Sequence, residues 1–237
     1  MNQREAPRFP YRLFDLTHPI APGGPVWPGD PPTKRFEATS HDEEGFALQG
    51  WTLSEHAGTH VGSPSHYIPK GVTIDRMPLE ELVLPAVVLD VRGQLMLEGQ
   101  VTVDHVRSFE VGWGELLPAG AAVLLLTGWD ERWPDWTRVY EKDRRGVYLW
   151  PGFTGETAEW LIVERGVRAL GTDAPGIDPG SDSMFAAGHA CARARLPHLE
   201  NLANLDLLPD MGAWLMIGAL PLEGGHGSPA RVMGLVK

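Results

Sequence analysis

Ala121-Ala122-Val123-Leu124-Leu125-Leu126 is apolar at every position and lies between Gly120 and Gly128. A run of this length without a polar residue reads as a strand covered on both faces. A polar, Trp-containing excursion over residues 129–145 follows and is expected to be loop. Thr154 to Arg165 then carries an apolar stripe at Ala158, Leu161 and Ile162 and stops at Gly166, which predicts a helix. Val167 to Asp173 reads as a second strand that ends in an acid. Strand, helix and strand make a parallel crossover, so the fold class is α/β.

Working outward, Ala86 to Val91 is another buried strand. Leu13 to Leu16, Phe46 to Leu53, a short segment around Leu199, Leu215 to Leu220 and Arg231 to Val236 complete a set of mixed strands. Few helices join them. One is capped by Thr102, with Val103, Val106 and Phe109 on one face; another spans Met184 to Arg195; Pro78 to Leu82 forms a single turn. The Pro/Gly-rich stretch Ala21 to Pro32 holds Trp27 and is expected to be a binding loop, and Gly224 to Pro229 a second loop of small residues. No boundary or repeat divides the chain, so 1–237 reads as a single domain, with residues 1–10 as a loose N-terminal arm.

The formal net charge of −11 argues against a nucleic-acid surface, because a phosphate backbone needs clustered Lys and Arg. The single cysteine, Cys191, excludes an intramolecular disulfide and is expected to be an inert, packed thiol. Neither a signal-peptide run nor a stretch approaching ~20 apolar residues is present. These features lead to the expectation of a cytoplasmic protein without membrane partners.

The chemistry concentrates in Ser54-Glu55-His56-Ala57-Gly58-Thr59-His60-Val61-Gly62-Ser63-Pro64-Ser65-His66-Tyr67, which holds three of the nine histidines. Two imidazoles four residues apart, with Gly58 allowing a tight path between them, can face one ion. His66 stands close enough in sequence to handle a proton. Further ligands have to come from elsewhere, with Asp173 and the stretch His189 to Glu200 the richest candidates. The elbow of serine hydrolases and the glycine loops of nucleotide-binding proteins are absent.

The run from His56 to His66 closely resembles the H-x-G-T-H-x-D-x-P-x-H signature of the metal-dependent cyclase and kynurenine formamidase family. Further segments match in order: Asp15 to Ile20, Val26 to Gly29, Leu126 to Trp129, Gly171 to Asp173, Glu200 to Leu205 and Gly227 to Arg231. The resemblance implies a swivelling β/β/α fold and a hydrolase that opens an amide or cyclic acyl bond of an arylformamide, isatin-type or lactone substrate. It implies His56, His60, His189 and Glu200 as metal ligands, with His198 as the less favoured substitute for His189. It also implies His66 as the acid/base, Zn or Mn as the ion, a small-molecule substrate, and a homodimer or homotetramer. Trp27, Phe46 and Trp129 are the aromatic residues expected around the substrate. One position departs: the signature's metal-bridging Asp is Gly62. One ion rather than two is therefore expected, since two close cations repel without a bridge. The alternative is a catalytically weak relative that binds a small ligand.

Overall fold

A computed structural model describes residues 9–94 and 99–237. Its strands in chain order are β1 (Arg12–Asp15), β2 (Lys34–Thr39), β3 (Leu48–Thr52), β4 (His60–Gly62), β5 (Val83–Asp90), β6 (Gln100–Val101), β7 (Ala122–Leu126), β8 (Gly152–Phe153), β9 (Ala169–Thr172), β10 (His198–Glu200), β11 (Ala213–Ala219) and β12 (Gly227–Val236). The helices are α1 (His41–Glu44), α2 (Val103–Trp113), α3 (Trp136–Val139), α4 (Gly155–Arg165) and α5 (Ala186–Arg193).

The main sheet runs β1-β12-β11-β5-β7-β9-β10-β4, and β4 also pairs with β12. That extra pairing closes seven strands into a ring, with β1 added on β12. The ladders β5–β7, β7–β9 and β9–β10 are parallel, and the other pairings are antiparallel. The expected crossover is therefore present, with β7 and β9 adjacent and parallel. The expected mixed-strand fold with few helices is the observed one.

Alternation along the strands sorts two cores, because successive side chains point to opposite faces. Ala86, Val88, Ala122, Leu124 and Leu126 join Leu199, Leu215 and Val232 in one cluster. Val87, Leu89, Val123 and Leu125 pack with Val106 of α2, Ala158 and Leu161 of α4, and Ala187 and Cys191 of α5 in the other. Both faces of β7 are thus covered, as its composition demanded. Local signals set the helix ends. Thr154 Oγ1 accepts from Thr157 N at the start of α4, and Gly166 ends it at φ +64°. Thr102 and His105 form a reciprocal cap on α2.

Three expectations are corrected. The excursion after Trp129 contains a 3-10 turn (Trp129–Arg132) and α3, and its Trp129, Val139 and Tyr140 pack in a hydrophobic cluster with Leu149 and Trp150. The expected second small-residue loop is strand from Gly227 onward. The helix expected from Met184 to Arg195 is shorter, Ala186–Arg193. Of the expected loose arm, only Phe9 and Pro10, both exposed, fall among the described residues. No helix among the described residues is long and apolar enough to cross a membrane.

Candidate active site

The short strands β4 and β10 build the site through their register. Glu200 stands opposite His60, Leu199 opposite Val61, and His198 opposite Gly62. Period-two alternation sends Val61 and Leu199, both 0% exposed, into the apolar cluster. His60, Gly62, His198 and Glu200 are then left on the other face. Gly58, at φ +65°, turns the chain so that the His56 ring lies 4.9 Å from that of His60. His66 sits on a 3-10 turn (Pro64–His66) with its ring 4.1 Å from that of His56.

These groups face a cavity of about 420 Å³. Its chemical end holds His56, His60, His66, Glu200 and Asn201, and its walls are Trp27, Tyr67, Tyr140, Tyr148, Trp150 and Phe185. Trp27 is central, with ring centroids of Tyr140, Trp150 and Phe185 at 6.0, 5.7 and 6.2 Å. Among the described residues no Lys or Arg lines the cavity. A planar aromatic compound of drug size fits such a volume and lining.

His60 carries the most informative geometry. Its Nδ1 lies 2.9 Å from the carbonyl of Gly58, which can only accept, so Nδ1 holds the proton. Nε2 is buried, makes no aligned hydrogen bond, and stands 3.2 Å from Glu200 Oε2. A neutral His60 would turn a lone pair toward a carboxylate oxygen, two acceptors at van der Waals range. A cation between them resolves this. It is either a proton on Nε2 or a metal ion, and two donors bonded at ~2.0–2.1 Å to one tetrahedral ion stand about 3.3 Å apart. The backbone carbonyl holding the far nitrogen is the usual outer-shell partner of a ligating His. The donor set therefore fits an ion. Among the described residues no three His, Cys, Asp or Glu groups are gathered tightly enough to cage one without side-chain adjustment.

Burial sets the electrostatics. It pushes His56 far below the ordinary imidazole range, with His60 and His66 adding to the effect. His66 is exposed at the cavity mouth yet also lowered, chiefly by desolvation, with Glu200 opposing. His198 is lowered to about 4 by burial. For Glu200 burial alone would raise the pKa, but His60, His198 and His66 together hold it below the usual carboxylate value. Desolvation raises the Tyr67 hydroxyl. Asp178 also lines the cavity; burial raises it to about 7, although its carboxylate accepts from Ala187 N and Gly188 N at 2.5 and 3.1 Å at the start of α5.

The structure brings His56, His60, His66, Glu200 and Trp27 to one cavity. His189 does not line it: that ring packs on Tyr67 at 5.0 Å, farther along α5. Phe46 is 56% exposed on the approach to β3 and does not reach the cavity. Trp129 is buried beneath Arg132, and its indole N–H donates to the carbonyl of Val139. Asp173 is also elsewhere, fully engaged by the turn after β7. Sequence reading missed Tyr140, Tyr148, Trp150 and Phe185. The alternate spacing of Tyr148 and Trp150 was the available signal.

A family model described as putative cyclase matches residues 14–179. The chain belongs to this family. An isatin hydrolase of Roseibium aggregatum is 32% identical, over 94% of this chain and 91% of that protein. A kynurenine formamidase of Erythrobacter litoralis is also 32% identical, over 90% and 87%. The solved structure of isatin hydrolase A from Ralstonia solanacearum superposes with a TM-score of 0.89 at 32% identity, covering 96% of this cyclase-family chain and 92% of that one.

Proposed function

We propose that this protein is a metal-dependent hydrolase that opens a non-peptide amide or cyclic acyl bond, C–N in an amide and C–O in a lactone, of a small aromatic compound. The observation that carries the reading is the bare Nε2 of His60 set 3.2 Å from Glu200, on the wall of an aromatic cavity. The names of the two relatives, an isatin hydrolase and a kynurenine formamidase, support the bond type.

His56, His60 and Glu200 would hold one Zn or Mn ion. Such an ion polarises a carbonyl and lowers the pKa of water to near neutrality. Gly58 fixes the His60 tautomer through its carbonyl, so the free nitrogen faces Glu200. Trp27, Trp150 and Tyr148 bury the aromatic ring of the substrate and exclude water around the scissile bond. His66, exposed at the mouth and neutral at pH 7, takes a proton from the attacking side and delivers it to the departing nitrogen or oxygen. We further assign a cytoplasmic setting and a homo-oligomer. Phe36, Phe46, Leu48 and Trp51 leave the β2–β3 hairpin with an apolar, 40–57% exposed surface suited to a second copy.

The test is turnover of isatin, formyl-anilide and lactone substrates by protein loaded separately with Zn and Mn, alongside metal analysis. Absence of hydrolysis on the whole panel with a full complement of ion would remove the enzymatic reading. Gly62, which offers no ligand atom, favours a second reading, a binding relative with lost turnover. That reading predicts tryptophan quenching by the same compounds without any product.

A further inference from the structure

Glycine at position 62 is not simply a missing carboxylate. A Cβ built there would lie 2.1 Å from Cε1 and 2.3 Å from Nε2 of His198. Real Cβ atoms do not approach other atoms so closely, so the imidazole of His198 occupies the space a side chain at 62 would need. The cause is register: His198 is the direct cross-strand partner of Gly62 in the β4–β10 ladder, and such partners share a face. Gly227 plays the same part for His56, since a Cβ there would meet His56 Cε1 at 2.7 Å.

His198 is 2% exposed and has no hydrogen-bond partner among the described contacts, apart from the Glu200 carboxylate 3.8 Å from its Nε2. Glu200 is thus bracketed, with His60 on Oε2 and His198 on Oε1. At 3.8 Å from that oxygen, Nε2 is too far for a hydrogen bond, so it is left open to an ion. The Tyr67 ring at 5.5 Å and the His66 ring at 6.1 Å lie beside it on the cavity side.

We propose that His198 is a metal ligand of this protein, reaching over Gly62 to supply the donor that position 62 does not. The donor set becomes His56, His60, His198 and Glu200, more nitrogen-rich than one containing a carboxylate at 62, which favours Zn over Mn. The assignment rests on the reading of this cluster as a metal site, and it makes residues 62 and 198 a matched pair.

The experiment measures Zn affinity and stoichiometry of the purified full chain by chelator competition and elemental analysis. His198→Ala and His198→Asn are compared with Gly62→Asp and the double variant Gly62→Asp/His198→Ala, with circular dichroism as the folding control. Expected are at least a ~10-fold loss of affinity in both His198 variants, a comparable loss in Gly62→Asp, and recovery to within about threefold of the wild type in the double variant. Unchanged affinity in folded His198 variants overturns the proposal, as does tighter binding by Gly62→Asp alone. Should the variants not fold, X-ray absorption on the Zn-loaded wild type decides. Three imidazoles in the coordination sphere support the assignment; two or fewer overturn it. A wild type that takes up no ion would sink the hydrolase reading as well, whereas normal uptake with indifferent His198 variants removes only this inference.

Discussion

Asp173→Ala separates a carboxylate that builds the fold from one that builds the site. Asp173 is 2% exposed and accepts from Thr127 N at 3.1 and 3.0 Å, Thr127 Oγ1 at 2.6 Å, Gly128 N at 2.7 Å and Trp129 N at 3.2 Å. Alanine would strand three donors, since Trp129 N keeps Thr127 Oγ1 at 3.2 Å, and each costs ~1–3 kcal/mol when unsatisfied. Water entering the vacated space offsets part of this, so a loss of about 3–5 kcal/mol is expected, in the range diagnostic of a broken buried network. For a chain of this size ~1 kcal/mol lowers the melting temperature by ~2–4 °C, giving a drop on the order of 6–20 °C. Burial also raises the Asp173 carboxyl to about 7. Its native pKa then exceeds the unfolded value, so the folded state holds the extra proton between pH ~4 and ~7. Stability from this group is full below the lower limit and is lost as pH rises to the upper one. Asp173→Asn should erase that slope. Denaturant unfolding at pH 5 and pH 7.5 measures both effects. Metal content should be unchanged, because Asp173 does not line the cavity. A destabilisation below ~1 kcal/mol, or loss of bound metal from a folded Asp173→Asn protein, would refute the reasoning.

Other perturbations act on the cavity. Glu200→Gln should abolish the Zn-dependent rise in melting temperature, a stabilisation of ~4 kcal/mol in the wild type at a thousandfold excess over the dissociation constant; retention of that rise would rule Glu200 out as a ligand. His66→Ala should keep its metal and lose ~10²–10⁴ in kcat, and a variant with full turnover would dismiss the proton carrier. Trp27→Ala should raise KM more than it lowers kcat for aromatic substrates, a pattern checked by steady-state kinetics. Trp51→Asp combined with Phe36→Asp should shift the sedimentation profile to monomer, and an unchanged profile would exclude the hairpin as the contact.

The elements legible from sequence were those whose cause is local. β7 announces itself by six apolar residues in a row, and α4 by its stripe, its Thr154 cap and the glycine after it. Ring closure was not legible, because it depends on β4 and β12, distant in sequence, finding each other. The same distance concealed the start of β12. Gly227 and Ser228 look like loop residues, but the glycine is there to admit the His56 ring and Ser228 is buried in the barrel. The histidine stretch was legible as chemistry through its spacing. The proposed ranking of His198 over His189 was harder to see, since it rests on a cross-strand register and not on a position in the chain. The aromatic wall comes from four separate segments around Trp27, Tyr67, Tyr140 to Trp150 and Phe185, and no one-dimensional pattern gathers them.

The overlap between a side chain at 62 and the ring at 198 also bears on redesign. With the His198 ring where it stands, an Asp at 62 does not fit beside it, because even the first carbon of the aspartate falls 2.1 Å from the imidazole. A carboxylate at 62 therefore has to be installed together with a ring that swings aside or a smaller residue at 198.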